Sequence, residues 1–314
     1  METKSESVKN EGVYVSLSEL LKFGYMPKNF NIRPNAAVLS KLSGRHISGM
    51  RGRGMDFSEM KQYVQGDDSR HMDWKATRRT GKPYIRVYNE ERDRNVWLVI
   101  SQMNSMFFGS KERMKSVSAA HTAALMAFKA LDMGDRVGAV VYNNEDVKFF
   151  KASSSKNNVV QIMTEIERQN NLLTATNSNN SKGKLSEALK ILSSLAKHDD
   201  LVLLIGDGRA MDEASAKYIT RMNAHNDVIA VLVSDPMEET LLESSSLFFS
   251  DGKETVDVDS ADKQFVEKYA QRLSGRKEKM QQLSRKNALP VLSISTEFPV
   301  LDQLYAQLSM RNSS

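Results

Sequence analysis

From Val96 onward the hydrophobic pattern alternates between two kinds of segment. "VWLVIS" (96–101) is a short continuous apolar run, the pattern of a central parallel strand buried on both faces. The segment after it carries Met114, Val117, His121, Ala124, Leu125, Phe128 and Leu131 at helical spacing, which predicts a helix with one buried face. "GDRVGAVVYN" and "DVKFFKAS" predict two strands joined by a turn at Asn143, Asn144 and Glu145. Helices are predicted near 156–169 and 184–197. "DLVLLIGDG" then reads as a buried strand, "DEASAKYITRMNAH" as its crossover helix and "DVIAVLVSDP" as the next strand, and "PVLSIST" and the helix "VLDQLYAQLSM" close the chain. Strand and helix in strict alternation predict an α/β fold with a mostly parallel, doubly wound sheet. The hairpin at 136–153 adds one antiparallel edge strand.

Upstream the pattern is different. Residues 1–30 read as a polar lead-in with one amphipathic stretch, "SLSELLKFGYM". Residues 31–95 form a section rich in Arg, Gly and Asp, whose second half, "PYIRVYNEE", alternates as a half-buried strand does. Residues 96–314 make the main domain. An insertion at about 237–287 interrupts it, with a hairpin in "SLFFSDGKETVDVDS" turning at Asp251-Gly252 and then a long charged helix over 261–287.

Composition narrows the function classes. The chain has 314 residues, 40% hydrophobic and 26% charged, enough for a substantial core. Absence of cysteine excludes disulfides, thiol nucleophiles and Cys-ligated zinc. No apolar run is long enough to span a bilayer, and the polar start lacks the apolar centre of a secretory signal, so a cytoplasmic location is expected. Of the net charge of +5, a local +4 falls between Gly44 and Asn95, with 12 Lys/Arg against 8 Asp/Glu. Its signs interleave, as in "GDDSRHMDWKATRR", whereas a phosphate-binding surface is more often a one-signed stripe; nucleic-acid binding is therefore a lesser reading. No G-x-x-x-x-G-K-[ST] phosphate loop occurs.

The order of elements, with a serine-bearing turn after the first strand and an Asp-Gly after a later one, resembles a von Willebrand factor A domain. The preceding "YVQGDDSRHMDWKATRRTGKPYIRVYNEER" resembles the signature of the bacterial family called domain of unknown function fifty-eight, and the likeness continues through "GDRVGAVVY" and "SDPMEE". That resemblance implies a non-enzymatic adaptor working with a MoxR-type AAA+ ATPase in the remodelling or maturation of a client protein, with no cofactor. It also implies where a metal site would lie: Asp-x-Ser-x-Ser after the first strand, a Thr on a second loop, and an Asp after a later strand. Here those positions hold Ser101, Met103, Ser105, Gly183 or its neighbour Lys184, and Asp207. Without the leading carboxylate, and with a thioether in the middle, the set is a poor match for Mg²⁺. A metal-free interaction surface is expected, with metal-dependent ligand binding as the alternative. A charge on Lys182 or Lys184, placed beside Asp207 by the loop, would substitute for the ion.

The signature segment offers Asp67, Asp68, Arg70, Asp73, Trp74, Lys75, Arg79 and Glu91, read as a structural clasp or a partner-binding set. Arg forks pair with carboxylates, and the Trp74 ring is expected to anchor the segment by burial. His71 with Asp73 would be the acid–base pair of a hydrolase, but the two residues supply no nucleophile–base–orienter chain. His121, on an apolar stripe, is expected to be a satisfied core residue.

Overall fold

The computed structural model describes residues 12–25, 55–64, 70, 72–90, 94–174, 183–239, 247–250, 255–258 and 289–309. The charged helix expected over 261–287 and the turn at Asp251-Gly252 lie outside them. The chain divides into two units, Gly44–Asp93 and the remainder. Among the described residues, the first helix of the larger is α1 (Leu17–Lys22).

The small unit is a two-stranded antiparallel ribbon with one helix: β1 (Met55–Gln62), α2 (Trp74–Thr80) and β2 (Tyr84–Glu90). β2 is the strand predicted from "PYIRVYNEE". β1 has no clean alternation in the sequence, and the register explains why: a bulge between Phe57 and Glu59 shifts the pairing and breaks the period of two. Asp73 caps α2, its Oδ1 accepting from Lys75 N at 3.0 Å and Ala76 N at 2.9 Å. The helix stops at Gly81, whose φ of 70° is the left-handed C-cap conformation.

The large unit continues with β3 (Asn95–Ser101), α3 (Lys115–Asp132), β4 (Arg136–Tyr142), β5 (Val147–Ser153), α4 (Lys156–Asn171) and α5 (Lys184–Ser193). Then come β6 (Leu201–Gly206), α6 (Glu213–Asn223), β7 (Asp227–Ser234) and the single turn α7 (Pro236–Glu239). β8 (Leu247–Ser250) and β9 (Thr255–Val258) pair as an antiparallel ribbon, and β10 (Val291–Ser295) and α8 (Val300–Ser309) end the described chain. Six strands form one sheet in the order β10-β7-β6-β3-β4-β5, parallel throughout except β4 with β5. β5 is the antiparallel edge that the hairpin pattern predicts.

Because β3 is central, its alternate side chains enter two cores. Leu98 and Ile100 pack with Ala123 and Ala127 of α3 and Ile162 of α4. Trp97 and Val99 pack with Leu189 and Leu192 of α5 and Ile219 of α6. This two-sided burial is why the strand reads as an unbroken apolar run. Gly138 on β4 makes room for the Trp97 ring: a Cβ there would overlap the indole and stand 2.9 Å from Ala152 N. Gly138→Ala should therefore destabilise the protein by about 1–3 kcal/mol, the cost of forcing an overpacked side chain to shift. Urea unfolding measures the loss.

Residues 12–25, within the segment read as lead-in, pack on the helices of the large unit. Leu20 is fully buried. Val15 N donates to Asn170 Oδ1 at 2.9 Å, Leu17 N to Glu167 Oε1 at 2.7 Å, and Tyr14 Oη to Leu173 O at 3.0 Å. His121 faces this strap, with Nε2 2.7 Å from Glu19 Oε1 and its ring 5.3 Å from that of Phe23.

Candidate functional site

In a sheet of this topology the crevice lies at the carboxyl ends of β3 and β6, where the strand order reverses. The turn after β3 is tightly held. Ser101 hydrogen-bonds the Tyr142 hydroxyl, whose ionisation is pushed up by burial, opposed by that bond and aided by the Asp207 charge. Gln102 is fully buried: its Nε2 donates to Ser116 O at 3.1 Å and its Oε1 accepts from Asn170 Nδ2 at 3.0 Å. Met103 turns into the core that holds Trp97. Asn104 N donates to Asn144 Oδ1 at 2.8 Å, and Ser105 hydrogen-bonds the Asp207 carboxylate. Gly206 keeps the end of β6 close to this turn, since a Cβ there would sit 3.1 Å from that of Ser101.

The charge beside Asp207 comes from Lys115, the first residue of α3. Its side chain is fully buried, with Nζ 3.2 Å from Asp207 Oδ2 and 2.6 Å from Glu238 Oε1 of α7. Arg209 closes the cluster from the outside, Nη2 2.5 Å from Glu238 Oε1 and Nε 3.4 Å from Asp207 Oδ2. Two cations and two carboxylates thus join the ends of β6 and β7 to the start of α3. Burial alone would raise the Asp207 pKa, but the Lys115 and Arg209 charges and the bonds from Arg209 N and Ser105 hold it below the usual carboxylate value.

Of the two loop lysines expected to supply this charge, the structure describes Lys184. Lys184 is at the start of α5, where its Nζ donates to Glu145 O at 3.0 Å and pairs with Glu187 at 3.1 Å; Lys182 lies outside the described residues. Gly183 precedes α5 with a φ of 86° and has no side chain to ligate anything. A signal for Lys115 was present in the sequence. A lysine in the first turn of a helix opposes the positive end of the macrodipole, so it needs carboxylates brought from elsewhere.

The donor set does not fit a divalent cation. Met103 is in the core, Ser101 is bonded to Tyr142, and the remaining carboxylate, Asp207, faces an ammonium at contact distance. Among the described residues no group of three His, Asp or Glu side chains is arranged to hold a metal ion.

Next along the edge, Asp235 follows β7 and is fully buried. It accepts from Ser110 N at 2.8 Å, Ser110 Oγ at 2.5 Å, Met237 N at 2.9 Å and Thr296 Oγ1 at 2.5 Å. On the other side, beyond β4, a recess of about 170 Å³ is lined by Asn104, Asn143, Asn144, Glu145, Gln169 and Leu172. Gln169 Nε2 donates to Glu165 Oε1 at 2.8 Å and to Val141 O at 3.3 Å, and its buried Oε1 has no donor among the described residues.

The signature residues are in the small unit. Asp73 is buried and its Oδ1 is used in the cap of α2. Trp74 is 68% exposed and so does not anchor the segment: as the first residue of α2 it points away from the buried Ala76 face. Lys75, Arg70 and Arg79 are exposed as well. Asp67, Asp68, His71 and Glu91 lie outside the described residues.

The sheet order and the antiparallel edge define a doubly wound α/β domain, here with an ion-pair cluster at the position where the sequence resemblance places a metal. The family model described as "Protein of unknown function DUF58" matches residues 59–279, and the chain belongs to that family. Uncharacterized proteins of Mycobacterium tuberculosis and Mycobacterium bovis are each 24% identical to it over 257 residues, covering 82% of this chain and 79% of the relative. Among solved structures, it is similar to an aerotolerance-related membrane protein from Bacteroides fragilis, at TM-score 0.42 and 11% identity, covering 68% of this chain and 96% of that one. It is also similar to the SpRpn10 VWA domain, at TM-score 0.40 and 11% identity, covering 69% and 95%. No helix among the described residues is long and apolar enough to cross a membrane.

Proposed function

We propose that this protein is a non-enzymatic protein-interaction adaptor that works in the cytoplasm with a MoxR-type AAA+ ATPase, the ATPase supplying the hydrolysis that remodels or matures a client protein. The observation that carries the interaction reading is the carboxyl edge itself. Its recess of about 170 Å³ is well under the ~300–1,000 Å³ of small-molecule sites, and it opens beside a buried, unused acceptor, Gln169 Oε1. Such a recess suits one side chain of a protein partner better than a substrate. The family and its fold are compatible with that role, and the ATPase partner is inferred from the resemblance of the signature segment.

The test is co-purification from the native host in the presence of a non-hydrolysable ATP analogue. An AAA+ protein should be retained by the wild-type chain, and failure of any AAA+ protein to appear would sink the reading. The same preparation should show no saturable heat with Mg²⁺ or Mn²⁺ and unchanged retention of the partner in EDTA, because Lys115 and Arg209 together already balance Asp207 and Glu238. Loss of the partner in EDTA would instead favour a cation-bridged mode of binding.

A further inference from the structure

We infer that the outward face of α2 in the small unit is a docking site for an acidic segment of a partner protein. This deepens the interaction reading and rests on it. The helix is rigidly placed: Asp73 caps its start, Asp73 N donates to Tyr84 O at 2.7 Å, Tyr84 N donates to Thr77 Oγ1 at 3.1 Å, and Ala76 and Ile85 are buried beneath it. The side turned away from that contact carries Trp74, Lys75, Arg78 and Arg79, all exposed. On a helix, Lys75 with Arg78 and Arg79, and Trp74 with Arg78, are spaced to share a face.

Two features separate this face from an ordinary solvated surface. Trp74 is 68% exposed, and the same small unit exposes Met60 at 45% and Val64 at 58%, so large apolar groups remain uncovered. Lys75, Arg78 and Arg79 make no ion pair or side-chain hydrogen bond among the described residues, although the segment around them contains carboxylates. Indole and guanidinium together are the side chains that dominate interface energies, because each covers a large area and Arg adds forked donors. Three unpaired cations around one indole call for a partner that brings carboxylates and at least one apolar side chain.

The experiment uses the full chain and a fluorescein-labelled twelve-residue peptide of alternating Glu and Leu with one Phe, read by anisotropy. The control ligand is a labelled oligothymidylate of similar charge. Saturable binding of the peptide is expected, with Arg78→Glu weakening it at least ten-fold and Trp74→Ala at least three-fold. Lys217→Glu, an exposed position on α6 with the same change in net charge, should leave the affinity within two-fold. Melting curves of each variant confirm that the exposed substitutions leave the fold intact. Equal weakening by Arg78→Glu and Lys217→Glu would reduce the attraction to net charge and overturn the inference. So would binding of the oligothymidylate alone, which would make the face a nucleic-acid surface, or no binding of either. Failure of an AAA+ protein to co-purify, with the peptide still bound through Arg78, would remove the adaptor reading and leave the docking face standing.

Discussion

Lys115→Met should lower the unfolding free energy by about 3–5 kcal/mol, the cost of removing one partner from a buried ion cluster. Methionine keeps most of the volume of the side chain, so the effect isolates the charge. Without the ammonium, Asp207 and Glu238 are left as two carboxylates that shared one cation, with only the outer Arg209 to compensate them. Two like charges would then share the one outer cation, which is unfavourable at close range. The double substitution Lys115→Met with Glu238→Gln should recover a good part of the loss, since it removes the unpaired charge as well as its partner. Urea unfolding of the single and double variants measures both steps. A loss below about 1 kcal/mol for Lys115→Met would place the cluster among weak surface pairs and remove the argument that it organises this edge.

Asp235→Ala is expected to cost about 2–4 kcal/mol for a different reason. The carboxylate accepts four hydrogen bonds from three separate segments: the loop before α3, the start of α7 and the residue after β10. Removing it strands the buried Thr296 Oγ1, an unsatisfied donor costing about 1–3 kcal/mol, and takes the charged acceptor from Ser110 and Met237, which are nearer the surface and can turn to water. The same residue predicts a pH dependence. Burial acts to raise its pKa, but the Ser110 and Thr296 bonds and the two backbone donors hold it below the usual carboxylate value. A group whose folded pKa is depressed contributes stability that is fully present above its unfolded pKa and lost as the pH falls through the folded one. Wild-type stability should therefore decline from about pH 4 downward, and Asp235→Ala should flatten part of that decline. Unfolding curves between pH 7 and pH 3 measure the difference; parallel declines in the two proteins would exclude the carboxylate as its source.

Much of the fold was legible because its strands are buried on both faces. "VWLVIS", "DLVLLIG" and "DVIAVLVS" read as central strands since no position in them needs to meet water. The exception was β1, where the bulge at Phe57/Glu59 interrupts the alternation that marks a strand. The candidate site was legible only in part. Asp207 and Ser105 follow strand ends, so chain order placed them at the carboxyl edge. Lys115 and Glu238 are 123 residues apart, and nothing local to either shows that they meet. Lys182 and Lys184 flank the loop position at Gly183, but Lys184 is taken by Glu145 and Glu187. Trp74 illustrates the opposite case. Its chemistry suggested an anchor, whereas the capping of α2 by Asp73 fixes which residues face inward, and Trp74 is not among them.

By itself the sequence determined the α/β class, the parallel sheet with one antiparallel edge, and the absence of the leading carboxylate from the turn after β3. These follow from periodicity and residue identity, which are local properties. Only the tertiary structure decided what stands beside Asp207, because the identity of a charge's neighbour depends on which strand ends and helix starts the sheet order brings together. A lysine at the first turn of α3 and a glutamate after β7 became one ion cluster through that order, and the side of α2 that faces outward was likewise set by packing against β2.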